Sequence, residues 1–282
     1  MTATADTTTS AAAAGYRPPS LLSVCLVRAQ VELRTFLRER EAVVFTFAFP
    51  IILLVIFGSV FGRQELDGGV SFAQYFVAGM IAAGLFGSSF QNLGIAVPIE
   101  RDSGALKRLA GTPMPRSAYF VGKVVLVAVI ALVQNALLLL IGVLFYDLNL
   151  PSSADRWVTY AWVSVLGVAA CTLLGLAVAS AVRNGKTAPA IISPIAIVLQ
   201  FISGVFFVFS ELPVWMQTIA SVFPLKWMTQ GMRSVFLPDG YAAQEPAGTW
   251  EHGRIALVLV LWAVVGLVIA VRTFRWRNKA DG

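Results

Sequence analysis

Six separate stretches of this 282-residue chain are apolar for about the length that a helix needs to cross a bilayer: residues 42–61, 72–97, 119–146, 157–182, 188–209 and 255–271. A hydrocarbon core of about 30 Å is spanned by roughly 20 helical residues. Inside lipid, every backbone N–H and C=O must find a partner within the protein, which leaves helices and closed barrels as spanning forms. Barrel strands alternate in polarity over about 10 residues, whereas these stretches are continuously apolar. The expected fold class is therefore all-α and polytopic, with six transmembrane helices. Composition agrees: 57% of residues are hydrophobic and 13% charged, against roughly 25% charged in soluble domains. A conventional water-soluble enzyme is excluded.

The net charge of +6 is a matter of topology, because Lys and Arg near span ends are retained in the cytoplasm. Placing both termini inside gathers Arg17 to Arg40, Arg101 to Arg116 with Lys123, Arg183 with Lys186, and Arg272 to Lys279 on the cytoplasmic side. The outer side keeps Arg63, Arg156, Lys226, Arg233 and Arg254 among acids such as Glu65, Glu211, Glu245 and Glu251. Six spans suit two inner termini. A plasma-membrane protein facing the lipid bilayer is expected, with no nucleic-acid partner. Residues 1–20 lack the charged and apolar regions of a signal peptide and read as a disordered tail, as do 276–282.

Two segments outside the spans are patterned. Over residues 21–41, Leu22, Leu26, Leu33, Phe36 and Leu37 keep helical spacing while Arg28, Glu32 and Glu39 take another face, which predicts an interfacial amphipathic helix. Residues 211–240 mix Trp215, Trp227, Met228, Met232 and Phe236 with Pro213, Pro224 and Pro238, which predicts two short helices dipping into the outer leaflet.

Sites for chemistry are scarce. The spans hold no ionisable residue except Lys123 near an inner end, so the proton relay of an ion-coupled carrier is missing. Sodium held by neutral groups such as Gln134 and Asn135 remains the alternative, an ion-coupled secondary transporter or channel. Cys25 and Cys171 read as small buried hydrophobes, and no metal-ligand spacing can be drawn. His252 stands alone beside Glu251. Residues 180–187 mimic the spacing of a phosphate-binding loop with Ser180 in place of its first glycine, but they join two membrane helices rather than a strand and a helix.

The second cytoplasmic loop is the most informative stretch. Over 99–111, Glu100 and Asp102 come early and Lys107 and Arg108 late, as a helix dipole prefers. Leu106 and Leu109 lie three residues apart, so a short helix here offers a hydrophobic knob ringed by charge. From the residues alone, docking onto another protein and a merely topological charged loop weigh equally.

Glu100, Arg101, Gly104, Leu106, Leu109, Thr112 and Pro113 resemble the Glu-Arg-x-x-Gly-x-Leu-x-x-Leu-x-x-Thr-Pro pattern in the membrane subunit of ATP-binding-cassette type-2 exporters. Gly122 and Lys123 are similar to the Gly-Lys that opens that family's third span. Residues 223–233 resemble its aromatic segment ending in Arg. Within the family the chain looks like actinobacterial permeases of the daunorubicin-resistance type, associated with drug efflux and antibiotic resistance.

The resemblance implies a permease with no enzymatic activity. It would pair with a separate ATPase that binds ATP and Mg, this chain holding no cofactor, and with a second copy or a closely related permease. Glu100, Arg101, Asp102, Gly104, Leu106, Lys107, Arg108, Leu109, Thr112 and Pro113 would form the coupling element, and Arg28, Glu32, Leu33 and Phe36 belong to the connecting helix. The 211–240 segment would be a re-entrant cap. If two copies meet through the first, second and fifth spans, Phe86, Gln91, Asn92, Gln200, Ser203, Phe206 and Phe207 would line a cavity. An amphipathic drug, lipid or glycolipid-like cargo leaving the cytoplasm or inner leaflet suits such a lining. Small-residue spacing at Gly58/Gly62 and Gly84/Ser88 suits helix packing equally. The short loop after the first span predicts no periplasmic adaptor.

Overall fold

The computed structural model of the chain describes residues 20–62 and 64–274. The expectations for most of the two tails, and for Arg17, Arg63, Arg275, Arg277 and Lys279, lie outside the described residues. Eleven α-helices appear among the described residues: α1 (Leu21–Arg38), α2 (Arg40–Phe61), α3 (Phe72–Phe86), α4 (Asn92–Asp102), α5 (Ala105–Ala110), α6 (Arg116–Tyr146), α7 (Ala154–Ala181), α8 (Ala188–Ile202), α9 (Val214–Val222), α10 (Pro224–Phe236) and α11 (His252–Thr273). A π-helical turn, Gly87–Gln91, joins α3 to α4, and a 3-10 turn, Gly185–Thr187, leads into α8. Among the described residues, six stretches are long and apolar enough to cross a membrane: Arg40–Phe61, Phe72–Asp102, Arg116–Tyr146, Ala154–Ala181, Gly185–Ile202 and His252–Thr273. One short hairpin, β1 (Glu65–Leu66) and β2 (Val70–Ser71), turns through Gly68 and Gly69. Both glycines have positive φ, which glycine adopts without a Cβ clash.

Helix α3 is the centre of the bundle, with all but one of its residues buried. It packs on α2, α6, α7 and α10, while α2 and α11 leave most of their apolar surface exposed. That distribution suits lipid, which solvates Leu and Val side chains as well as a protein core does.

Three expectations need revision. The second span does not stop at residue 97 but runs to Asp102, so Glu100, Arg101 and Asp102 form its last turn. Helicity is broken at Gly104 (φ +73) rather than at Ile99, and the coupling helix shrinks from 99–111 to α5. The fifth span ends at Ile202, not 209, because Gly204 takes a φ of +74. Fifteen residues of α8 extend only about 22 Å at 1.5 Å each. The freed backbone is satisfied by protein: Thr229 Oγ1 donates to the Ser203 carbonyl at 2.7 Å and Arg233 Nη1 to that of Gly204 at 3.4 Å. Buried irregular backbone is tolerated only with such partners.

The third revision concerns α1. Its packed face is Cys25, Ala29 and Glu32, with Arg28 half-buried, and it lies along α6. Leu22, Leu26 and Leu37 point outward and are exposed. The amphipathic helix is thus turned over relative to the usual soluble arrangement: Arg28 and Glu32 face protein, where partners wait, while Leu22, Leu26 and Leu37 face the side open to lipid, with Arg34 and Arg38 also exposed. Ser20 belongs to this helix rather than to the tail, since its Oγ accepts the Ser23 N–H at 3.2 Å, an N-cap of the usual kind.

Candidate functional site

The last turn of α4 fans three consecutive charged side chains into three different elements. Glu100 accepts from Tyr119 Oη at 2.9 Å and from Lys123 Nζ, both on α6. Lys123 Nζ also donates to Glu32 of α1 at 2.8 Å, and Glu32 in turn pairs with Arg28. Lys123 is 3% exposed and Glu32 6%, so this is a buried cluster rather than a surface pair. The guanidinium of Arg28 stands 5.5 Å over the Tyr119 ring. Gly122 makes the approach possible: a Cβ there would lie 2.8 Å from Arg28 Cγ. The Gly-Lys pair thus has separate duties, Gly122 admitting α1 and Lys123 binding it to α4.

On the other side of α4, the buried Arg101 donates to the carbonyl of Val182 just beyond α7. The Asp102 carboxylate accepts the N–H of Gly185 just before α8. Gly185 lies so close to α4 that a Cβ would meet Ile99 Cα at 2.7 Å and the Pro98 carbonyl oxygen at 2.8 Å. The phosphate-loop lookalike is thereby explained. Its glycine is there for close packing, and the amide that a phosphate would need is already held by a carboxylate of the same chain.

Beyond Gly104, α5 is tied to α4 by the Gly104 N–H to Arg101 carbonyl bond at 3.1 Å. Arg108 Nη1 adds a bond to the Ser103 carbonyl at 3.4 Å. Leu106 is fully buried, which corrects the expectation of an exposed knob: it anchors α5 instead. The exposed side carries Lys107, Arg108, Gly111, Thr112 and Pro113. Leu109, half-buried, faces a groove of about 370 Å³ whose walls include Val24, Val27 and Val31 of α1 and Met114. Leu33 and Phe36 are half-buried, with Phe36 edge-on to Phe47 of α2.

The seven residues expected to line a cavity between two copies take different places within one copy. Phe86 is fully buried and stacks on Phe90 at 4.8 Å, and Ser203 is fully buried. Both are packing residues. Gln91, half-buried, donates to Ser193 Oγ at 3.3 Å, linking the second and fifth spans. Asn92 and Gln200 are half-buried. Phe206 and Phe207 share a cavity of about 180 Å³ with Phe57, Phe61, Phe72 and Glu211 at the α10 end.

Residues 23–237 match the profile of the ABC-2 type transporter family. The chain belongs to that family. A transport permease named ycf38 from Porphyra purpurea is 24% identical over 237 residues, covering 81% of this chain and 80% of its own. The transport permease YvfS of Bacillus subtilis (strain 168) is 25% identical over 197 residues, 68% of this chain and 77% of its own. Membership makes this a multi-pass transmembrane transport subunit rather than an enzyme, one of a family that pairs with an ATPase subunit. In this ABC-2 chain the motif residues Glu100, Arg101 and Gly104 thus fall where α4, α5, α6 and the α7–α8 loop converge.

A second buried charge cluster, at the α10 end, went unread as a site. All thirteen residues of α10 are buried. Arg233 binds Glu245 through two bonds, Nε to Oε1 at 2.6 Å and Nη2 to Oε2 at 3.2 Å, and sits 5.1 Å over the Tyr75 ring. Burial works against the Arg233 charge, but the Glu245 carboxylate beside it holds its pKa above the ordinary value. Lys226 donates to Gln230 Oε1 at 2.5 Å and lies 3.6 Å from the Trp227 ring centre. Burial pushes its pKa down to about 8. The available signal was spacing: Lys226, Gln230 and Arg233 recur at i, i+4 and i+7, one face of a helix whose other face is apolar.

Proposed function

We propose that this chain is the passive transmembrane half of an exporter, moved by a separate ATP-hydrolysing subunit that docks on α5 and on the groove between α5 and α1. What carries this reading is the division of labour along the motif. Glu100, Arg101 and Asp102 are spent on internal partners, and the exposed residues beside Leu109 are the basic pair Lys107 and Arg108. A rigid, basic, half-apolar projection suits a groove on an acidic partner. Two copies meeting through the sparsely covered α2 and α8 would complete the pathway. The aromatic pocket around Phe57 and Phe206 favours an amphipathic cargo, which the rest of the lining leaves undefined. The cytoplasmic placement of α5 and both termini follows the Lys and Arg bias.

The test is binding of a candidate ATPase subunit that copurifies with this chain to the full chain in nanodiscs, with Lys107→Glu/Arg108→Glu as the variant. The expected result is loss of binding with an unchanged melting temperature. Binding at wild-type strength would remove α5 from the docking surface.

A further inference from the structure

The segment 182–187 resembles a phosphate loop and is not one, and the proposed docking does not use it. We propose that Arg101 and Asp102 are positioning residues that grip this segment from both sides and carry displacement of α5 into spans four and five. The proposal rests on the reading that an ATPase moves α5.

The chemistry of the grip follows from helix ends. Where α7 stops at Ala181, its last carbonyls lack helical partners and its end carries partial negative charge. The guanidinium of Arg101 supplies a cation there, on the Val182 carbonyl. Where the Gly185–Thr187 turn leads into α8, the first N–H groups lack acceptors in a preceding helical turn and the end carries partial positive charge. The Asp102 carboxylate supplies an anion there, on the Gly185 N–H. Two adjacent residues of one helix therefore match the opposite dipole ends of two others. No slack separates them, since Gly185 is in backbone contact range of Pro98 and Ile99, and Asn184 Oδ1 holds the turn by accepting the Lys186 N–H at 2.9 Å. Connection to α5 is equally short. The fully buried Leu106 and the bonds from Gly104 and Arg108 back to residues 101 and 103 leave little freedom at the break. Motion of α5 thus reaches spans four and five through Arg101 and Asp102, and reaches α1 and span three through Glu100 and Lys123.

The experiment is hydrogen–deuterium exchange on the full chain assembled with its ATPase subunit in nanodiscs, with and without ATP plus vanadate. Peptides covering 105–110 and 183–190 are compared in wild type, Arg101→Leu, Asp102→Ala, Arg101→Lys and Asp102→Asn. In wild type, both peptides are expected to change exchange with nucleotide. Arg101→Leu and Asp102→Ala should keep ATPase binding and the response at 105–110 while losing the response at 183–190. Asp102→Asn, which keeps an acceptor oxygen, and Arg101→Lys, which keeps a donor, should restore it. A response at 183–190 that persists in both disruptive variants overturns the proposal. If those variants fail to fold, wild type decides alone: a response at 105–110 with none at 183–190 also overturns it. Absence of any response at 105–110 would instead sink the docking reading on which it rests.

Discussion

Lys123→Met asks most of the buried cluster at the α5 end. Lys123 is the one cation shared by Glu32 and Glu100, and the side-chain exposures are 4%, 7% and 24%. Its removal leaves Glu100 with the Tyr119 hydroxyl and Glu32 with Arg28, two carboxylates still facing one another across the vacated ammonium position. Removing one partner of a buried ion pair costs about 3–5 kcal/mol, because an uncompensated charge stays behind. At about 2–4 °C per kcal/mol for a chain of this size, the melting temperature in detergent should fall by about 6–20 °C. Lys123→Met/Glu32→Gln should recover much of that loss, since the second change removes the stranded charge. Fluorescence-detected thermal unfolding of the three proteins measures it. A Lys123→Met protein that melts with wild type, or a double variant no better than the single, would refute the account of Lys123 as the knot between α1, α4 and α6.

Three further predictions concern the α10 end. Arg233→Met and Glu245→Gln should each cost about 3–5 kcal/mol, and Arg233→Met/Glu245→Met less than their sum, as a thermal double-mutant cycle will read. Lys226 has a folded pKa of about 8 against an ordinary 10.5. Between those values the unfolded chain binds more protons, so stability should rise with pH from 8 towards 10.5, by at most about 3 kcal/mol. Melting scans should show the rise in wild type and lose it in Lys226→Met. Gly79→Ala should destabilise by about 1–3 kcal/mol, because a Cβ there would lie 2.9 Å from the Val205 carbonyl oxygen and 3.1 Å from its Cα, backbone that cannot swing aside.

Six spans were legible because twenty apolar residues have few other uses, and the two short helices α9 and α10 because Pro213 and Pro224 mark their starts. Span ends were less legible. The fifth was drawn through Phe209 since Val205–Phe209 is apolar, and nothing in hydropathy announces that Gly204 takes positive φ or that Thr229 and Arg233 are ready to receive its freed carbonyls. The direction in which charges face was least legible. Glu100, Arg101 and Asp102 sit in a polar loop motif, and a sequence cannot say whether such residues meet a partner protein or their own chain. Leu106 misled for the same reason: an apolar residue among charges is a knob when it points out and an anchor when it points in. Spacing can place Lys226, Gln230 and Arg233 on one face, but their acceptors, Glu245 and the 249–251 backbone and side chain, arrive only through the fold.

The central claim is that the chain is a gate without an engine. Phe206, 7% exposed at the α10 end, replaced by cysteine in a background lacking Cys25 and Cys171, reports the outer opening through its reaction with a membrane-impermeant maleimide in proteoliposomes. The account predicts that its labelling rate changes when the ATPase subunit and ATP are both present, and stays constant when the chain alone is given a proton or sodium gradient. The same change driven by a gradient, with no ATPase in the vesicle, would contradict it.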